Sequence, residues 1–284
     1  LCPATLAGAV LVGWRALLVV AVCVAAAVLS EWIFCLSTHR PSSVGDFSAL
    51  VTGLILALNL PASFPLWQAA LGAVVAIVVV KCLFGGLGCN FANPALVGRV
   101  VLFVAFPTAI AAPVGAFRSL FDVDMVAGAT PLSRMNEGIA AEPYPVLNLL
   151  LGNYGGMIGE TCAAALLLGG VYLLARRVIS WHIPATYIAT VCLFSLCCGR
   201  DIPTELLAGG MLLGAIFMAT DYVTSPTTPW GKVIFGLGCG LITMFIRVFC
   251  AFPEGTSFAI LIMNILTPYI DKLTIARPIG GVKA

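Results

Sequence analysis

Long apolar runs, separated by short polar breaks, constrain the fold of this chain more than any other feature. Hydrophobic residues make up 61% of the sequence and charged residues only 9%, whereas soluble domains usually carry about 25% charged residues. A soluble fold could not cover so much apolar surface with polar groups, so lipid must be its main solvent. The sequence therefore predicts an all-α polytopic membrane protein.

The apolar runs divide into about ten predicted transmembrane helices, and several of them are short or broken by proline or glycine. The predicted spans are Leu1–Val12, Arg15–Leu36, Ala49–Leu60, Leu66–Val80, Ala92–Ala112, Tyr154–Ala175, Ile183–Cys198, Thr204–Thr220, Trp230–Cys250 and Ser257–Ile270. The first begins inside an apolar run and without methionine, so we expect that an N-terminal piece is missing.

A polar segment from Pro113 to Asn153 separates two sets of five spans. It predicts three units: a first transmembrane repeat at 1–112, a loop at 113–153 and a second transmembrane repeat at 154–284. Basic pairs such as His39-Arg40 and Arg176-Arg177 follow spans on one side of the membrane. The positive-inside rule assigns that side to the cytoplasm and the loop to the opposite side.

Weak sequence similarity between the two sets of spans predicts that they are repeats. Because each set has five spans, an odd number, the two repeats would begin on opposite sides of the membrane and would therefore be inverted. The run 57–61 occupies the place of 219–223, and the stretch that begins at Lys81 corresponds to the one that begins at Arg247. Broken spans at matching places in inverted halves usually mark a central site or pathway.

Composition argues against two other kinds of site. The net charge of +2 is scattered and offers no run that could follow a phosphate backbone, so no nucleic-acid partner is expected. Eleven cysteines accompany only two histidines, and most lie inside apolar runs, such as Cys23 and Cys239. Cysteine there behaves as a small hydrophobe, so we predict no metal site.

The loop contains the segment Asp-Met-Val-Ala-Gly-Ala-Thr-Pro-Leu at 124–132. Its small residues allow close approach to the backbone, and Thr130 presents a hydroxyl just before the stiff Pro131. From these residues alone an ordinary turn is the simpler interpretation.

This segment resembles the flavinylation motif Asp-x-x-(Ser/Thr)-Gly-Ala-Thr of a family of membrane flavin subunits. The family serves the Rnf ferredoxin:NAD oxidoreductase and the sodium-pumping NADH:quinone oxidoreductase. Further blocks at 46–54, 85–95, 151–161 and 217–221 resemble it in the same order, and the chain length suits the shorter Rnf member. The motif's fourth position, usually Ser or Thr, is here Ala127.

The resemblance implies that Thr130 carries FMN through a phosphoester bond that a dedicated FMN transferase makes. Asp124, Gly128 and Ala129 complete the motif. The diester keeps one negative charge, with which Arg118 or Arg134 can pair; exposed, solvated side chains are the alternative for both arginines. The family also implies a second, noncovalent flavin (riboflavin) and a fold similar to that of urea channels.

Ionisable residues at membrane depth are costly and usually functional. Asp221 and Glu160 are the main examples, with Asp46, Glu205 and Lys81 near span ends. The residues that we assign to an ion path or to the second flavin are Asp221, Thr220, Glu160, Asn90 and Asn93. For Asp221 the alternative is a cap on a broken helix, and for Glu160 it is a position at a helix interface.

The resulting expectation is a multi-pass component of the Rnf complex in a bacterial inner membrane. It would carry electrons through covalent FMN, coupled to Na⁺ or H⁺ transport, with no catalytic residue of its own. The iron–sulfur and nicotinamide sites would lie on partner subunits. The alternatives are a solute channel of urea-channel-like architecture and, if Ala127 makes the loop inactive, a membrane scaffold.

Overall fold

A computed structural model describes residues 1–111, 130–136, 145–250 and 255–274. Within these ranges the regular structure is helical, and no β-strand occurs in them. The motif residues Asp124, Gly128 and Ala129, together with Arg118, lie outside the described residues.

Among the described residues, six α-helices precede the loop. They are α1 (Cys2–Val12), α2 (Trp14–Ser37), α3 (Ser48–Leu58), α4 (Leu66–Val74), α5 (Pro94–Ala105) and α6 (Pro107–Ile110). A 3₁₀ turn at Val44–Asp46 leads into α3, and a π-helical stretch at Val75–Cys82 continues α4.

Eight more helices follow in the ranges that the structure describes after residue 111. They are α7 (Pro131–Asn136), α8 (Val146–Leu151), α9 (Ala163–Ala175), α10 (His182–Cys198), α11 (Ile202–Leu207), α12 (Met211–Leu213), α13 (Pro229–Phe249) and α14 (Thr256–Thr274). A π-helical stretch at Gly214–Met218 continues α12. The segment predicted as a polar loop therefore contains at least α7 and α8.

Helices α2 and α13 are long and apolar enough to cross a membrane. Six further apolar helices are shorter: α1, α3, α4 with its π-helical continuation, α5, α9 and α10. The all-helical, apolar character is confirmed, whereas ten membrane crossings stay a prediction.

The breaks in these helices have identifiable causes. Helix α3 ends just before Pro61, which cannot donate a backbone hydrogen bond and disfavours helix in the residue before it. Its free carbonyls are satisfied from another part of the chain, since Ile158 N–H donates to Leu60 O (3.1 Å) and Gly159 N–H donates to Leu58 O (2.8 Å). In an apolar setting such backbone groups need partners. The predicted span Tyr154–Ala175 consequently starts as turns and bends and becomes helical only at α9.

Small residues let the long helices pack closely. A Cβ on Gly53 of α3 would lie 2.8 Å from the Cys23 carbonyl oxygen of α2, and one on Gly240 of α13 would lie 2.6 Å from Thr190 Cβ of α10. Cys23 and Cys239 are fully buried in these layers. Close backbone approach at small residues is typical of helix packing in membranes. Both cysteines thus act as small packing residues.

Candidate functional site

Thr130 forms the N-terminal cap of the short helix α7. Ser133 N–H donates to Thr130 Oγ1 (3.2 Å), and Ser133 Oγ donates to the Thr130 carbonyl oxygen (2.9 Å). Pro131 follows at the first helical position, where its missing N–H costs nothing. The sequence predicts a presented threonine, but only 8% of Thr130 is exposed. The cap and the packing of α7 account for this difference.

Leu132 anchors α7 to the rest of the molecule. It is buried in a small apolar cluster with Leu149 of α8, Tyr154 and Ala208. The contact is tight, because a Cβ on Gly209 would lie 2.2 Å from Leu132 Cδ1. Anchoring by an apolar side chain fixes the start of α7 close to Thr130.

Asn136 holds the opposite end of α7 by two hydrogen bonds. Its side-chain amide donates to the Arg247 carbonyl oxygen (3.3 Å), and Arg200 Nη2 donates to Asn136 Oδ1 (2.7 Å). Arg200 in turn donates through Nε to Glu205 Oε1 (2.5 Å). The segment that bears Thr130 is therefore connected to a charged cluster.

This cluster, which we call the Arg247 cluster, consists of Arg247, Glu205 and Arg200. Arg247 Nη1 donates to Glu205 Oε2 (2.7 Å) and to the Glu205 carbonyl oxygen (2.6 Å). Arg247 Nη2 donates to the carbonyl oxygens of Ala208 (3.3 Å) and Gly209 (3.1 Å), where the chain breaks between α11 and α12. The exposed fractions of Arg247 and Glu205 are 1% and 0%. The guanidinium of Arg247 thus connects α13 to the break between α11 and α12.

Sequence reasoning named Glu205 only as a residue near a span end, and Arg247 only as an echo of Lys81. Arg247 lies inside the apolar run of α13, and a charge within an apolar run is itself a signal of a paired or functional site. Arg99 of α5 was missed although it carries the same signal. Its Nη1 donates to Asn59 Oδ1 (3.0 Å) and to Ser257 Oγ (2.6 Å). Arg99 thereby joins elements from before and after the loop.

A second buried charge cluster, the Lys81 cluster, consists of Lys81, Glu31, Ser43 and Ser48. Lys81 Nζ donates to Glu31 Oε1 (2.7 Å) and to Ser48 Oγ, and Ser43 Oγ donates to the same Glu31 oxygen (2.5 Å). The other oxygen, Glu31 Oε2, is buried without a hydrogen-bond partner among the described residues. The cluster therefore retains one free acceptor.

Asp46 lies beside this cluster in the 3₁₀ turn, outside the apolar helices. Partial burial alone raises the pKa of Asp46, but hydrogen bonds from Ser48 and the nearby Lys81 charge outweigh it. The pKa of Asp46 is therefore lower than the ordinary 3.8, as expected for a carboxylate that accepts hydrogen bonds.

A cavity of about 260 Å³ opens next to the Lys81 cluster. Polar and apolar side chains from both sides of the loop line it: Ser48, Val51, Thr52, Ile55, Lys81, Leu87, Asn90, Asn93, Pro94, Ala95, Phe217, Asp221 and Val223. Asn90 Oδ1 is a buried atom without a hydrogen-bond partner in the part of the chain that the structure describes. Asp221 Oδ2 accepts from Thr224 Oγ1 (3.0 Å). The cavity thus combines apolar walls with acceptor oxygens.

Asn93 connects this cavity to the helix breaks. Its side-chain oxygen caps α5 by accepting from Ala95 N–H (3.1 Å) and Leu96 N–H (3.4 Å), and its amide donates to the Met218 carbonyl oxygen (3.3 Å). The last bond crosses from α5 to the π-helical end that precedes Asp221.

The structure brings together three of the five residues that we assigned to an ion path or second flavin: Asn90, Asn93 and Asp221. Thr220 and Glu160 are not among the described residues that line the cavity. Thr220 Oγ1 donates to the Ile216 carbonyl oxygen (2.6 Å), and Glu160 is buried and accepts from Met157 N–H (3.0 Å). Arg134 is exposed on α7, one turn beyond Thr130.

Comparison with known proteins shows a match over almost the whole chain. Residues 1–280 match the model of the NQR2, RnfD, RnfE family. The D subunit of the Na⁺-translocating ferredoxin:NAD⁺ oxidoreductase complex of Acetobacterium woodii is 43% identical over 285 residues, which cover 100% of this chain and 88% of that protein.

Two other relatives match a similar share of this chain. The D subunit of the ion-translocating oxidoreductase complex of Halorhodospira halophila is 38% identical, covering 99% of this chain and 89% of the relative. The D subunit of the proton-translocating ferredoxin:NAD⁺ oxidoreductase complex of Clostridium ljungdahlii is 38% identical, covering 96% and 87%.

Proposed function

The chain belongs to the NQR2, RnfD, RnfE family, and from this premise we propose that it is the RnfD-type membrane component of an ion-translocating ferredoxin:NAD oxidoreductase complex. In this proposal it carries electrons through FMN bound covalently at Thr130, and electron transfer is coupled to Na⁺ or H⁺ movement. The two relatives whose names give an ion differ, with sodium in one and protons in the other. Membership therefore leaves the ion open.

One observation carries the proposal: the motif ends at a threonine whose oxygen is fixed at the start of a docked helix. Thr130 Oγ1 is held by Ser133, and the helix that follows is held by Leu132 and Asn136. A cofactor attached to this oxygen would be fixed to the helical body and not to a free loop. Defined placement is what an electron carrier needs from its protein.

The residues present fit a phosphoester at this site. Thr130 supplies the hydroxyl oxygen, and Arg134, exposed one turn further along α7, offers a cation for the remaining phosphate charge. Bound FMN would supply one- and two-electron redox chemistry. Maturation would require an FMN transferase, for which Asp124, Gly128 and Ala129 would form the recognition motif around Thr130.

The cavity is the best-supported place for the second, noncovalent flavin. The apolar side chains of Val51, Leu87 and Phe217 suit the faces of an aromatic ring, and Asn90 Oδ1 and Asp221 offer acceptors for its polar edge. Its volume of about 260 Å³ is slightly below the roughly 300–1,000 Å³ of typical ligand pockets. The flavin ring would therefore lie inside the cavity, and the side chain of the flavin would extend out of it. A coupling cation bound at Asp221 is the other occupant that these acceptors allow.

The proposed architecture is about ten membrane crossings in two inverted five-helix repeats, with the boundaries 1–112, 113–153 and 154–284. The packing supports it, since α2 lies against α3 and α4 while α10 lies against α11 and α13. Each half also buries one basic residue on a glutamate, Lys81 on Glu31 and Arg247 on Glu205. The protein would be multi-pass in a bacterial inner membrane, with the remaining Rnf subunits as partners.

Expression of the chain with an FMN transferase tests this function directly. The purified protein is denatured, separated on a gel and viewed under ultraviolet light, and the peptide that contains Thr130 is weighed by mass spectrometry. Fluorescence that survives denaturation, with the FMN increment on that peptide, is the expected result. An unmodified peptide would contradict the proposal.

The cavity favours a solute channel as the second candidate, because a passive pathway also needs polar groups between apolar walls. A dark band together with solute flux through vesicles that contain the protein would support the channel. A dark band without flux would support a scaffold role, as expected if Ala127 prevents flavin attachment.

A further inference from the structure

We propose that Arg200 and Asn136 form a clamp that positions the flavin-bearing helix α7 on the second half of the protein. Arg200 would act as a positioning residue: it would not touch the flavin but would hold the helix that carries it. The inference rests on the proposed function, since it assigns a role to residues around Thr130.

A clamp matters because a side-chain ester leaves several rotatable bonds between protein and cofactor. The position of the carrier can then be no better defined than the position of Thr130. Errors of about 1 Å in the placement of reacting groups can slow a reaction by about a hundredfold. The helix that carries Thr130 must therefore be fixed in both position and direction.

Two separate anchors fix α7 in this way. Leu132 is buried in the apolar cluster near the first turn, and Asn136 is bound at the other end. Fixing one point would leave the helix free to pivot, whereas fixing both defines its axis. Asn136 receives a hydrogen bond from Arg200 and donates one to the Arg247 carbonyl oxygen, so both of its amide atoms are engaged.

The clamp is rigid because Arg200 is itself held. Glu205 accepts from Arg200 through Oε1 and from Arg247 through Oε2, and Arg247 is fixed to backbone oxygens at Ala208 and Gly209. Charge-assisted hydrogen bonds of this kind are the strong ones. Two arginines share one carboxylate, which leaves a net positive charge beside a segment that would carry a negative phosphodiester.

The main experiment compares Arg200→Ala and Asn136→Ala in the intact complex, with Arg176→Ala, an exposed arginine of the same chain, as the matched control. Both clamp variants should keep full covalent FMN. Hydrogen exchange at the amides of α7 should become about tenfold faster, and reduction of the covalent FMN about tenfold slower. The effect of the double variant should be smaller than the sum of the two single effects, because both changes remove the Arg200–Asn136 bond while each also removes one further hydrogen bond. Arg176→Ala should change neither quantity.

A glycine pair gives a second test of how α7 is held. Gly209 and Gly210 both have left-handed backbone (φ of 68° and 67°), so alanine costs similar strain at each. The Cβ on Gly209 would lie 2.2 Å from Leu132 Cδ1 and 2.8 Å from Arg247 Nη2, whereas the one on Gly210 would lie 3.3 Å from Glu160 Oε2. Gly209→Ala should speed exchange in α7, and Gly210→Ala should not.

The outcomes separate this inference from the function on which it rests. Wild-type FMN on Thr130 with unchanged exchange in α7 in Arg200→Ala and Asn136→Ala would overturn the clamp and leave the function standing. Faster exchange in both variants of a chain that never carries FMN would support the clamp as a structural contact and overturn its role for flavin. Equal effects in Arg176→Ala would also overturn it.

Discussion

The Lys81 cluster and the Arg247 cluster have the same chemistry but different surroundings. In each, a buried basic side chain on a long helix binds a buried glutamate. The Lys81 cluster faces a cavity and retains an unpartnered oxygen on Glu31 among the described residues, whereas both Glu205 oxygens of the Arg247 cluster bind arginines. Helix α7 packs against the Arg247 cluster through Asn136.

The difference indicates a division of work between the two regions. A charged cluster beside a cavity can respond to a bound cation or ligand, because Lys81 and Ser48 line that cavity. In the Arg247 cluster both carboxylate oxygens are engaged, although Arg247 Nε is buried without a hydrogen-bond partner among the described residues, so the cluster offers no free acceptor and instead provides a rigid support. We therefore expect ligand-dependent behaviour near Lys81 and mechanical behaviour near Arg247.

The largest expected effect is the loss of the covalent flavin when Thr130 is replaced. Thr130→Val should abolish the covalent flavin completely, because valine has the shape of threonine without the attachment oxygen. The lost cap should cost only about 1 kcal/mol, so the fold should persist. In-gel fluorescence after denaturation measures the flavin, and Thr130→Ser, which keeps a hydroxyl, is the control that should stay fluorescent. Retained fluorescence in the valine variant would place the attachment elsewhere.

The next effect compares the two clusters by stability. Glu205→Gln should lower the free energy of unfolding by about 3–5 kcal/mol, because it leaves two arginines without their shared carboxylate. Glu31→Gln should cost about 1–3 kcal/mol, since Lys81 keeps its hydrogen bond to Ser48 Oγ and the glutamine oxygen can still accept from it. Denaturant titration in mild detergent provides both values. Equal costs, or the reverse order, would remove the distinction between the clusters.

A smaller effect separates two asparagines of the cavity. Asn93→Ala should cost about 1 kcal/mol, because Asn93 caps α5. Asn90→Ala should change stability by less than about 0.5 kcal/mol, since its oxygen has no partner to lose among the described residues, yet it should lower the content of noncovalent flavin. Flavin released by denaturation and the free energy of unfolding are measured on the same samples. If flavin content fell only in Asn93→Ala, the assigned role of Asn90 would be wrong.

The smallest effect is a pH dependence at Asp46. Its pKa is lower in the folded protein than the ordinary 3.8, so the ionised form stabilises the fold above pH 3.8 and this contribution is lost as the pH falls below it. Asp46 is exposed, which keeps the effect small. Unfolding curves of wild type and Asp46→Asn should differ above pH 3.8 and converge in acid. Parallel curves down to the lowest pH would show that Ser48 and Lys81 do not act on this carboxylate.

The sequence was a good guide to the helices because apolar runs and breakers act locally. Spans predicted at 15–36, 183–198 and 230–250 correspond closely to α2, α10 and α13. It failed where long-range contacts decide: the run after Tyr154 is apolar, but its backbone binds the end of α3, so the helix starts later. Gly155, Gly156 and Gly159 weaken a helix in this run, but they do not show which partner its backbone binds.

The candidate site divides in the same way. Thr130 could be singled out by the resemblance of its segment to the flavinylation motif, Asn90 and Asn93 by a block that resembles the same family, and Asp221 by its position at a break. Residue order alone could not show that these three share a cavity while Glu160 lies elsewhere, or that Asn136 meets Arg200 across a separation of 64 residues. Hydropathy and turn chemistry are properties of short stretches, and they determined the helices and the breaks, whereas the proposed attachment motif came from a resemblance to the flavinylation motif. Which buried charge finds which partner depends on how the helices pack, because a side chain in an apolar interior must take whatever polar group the tertiary structure brings within reach.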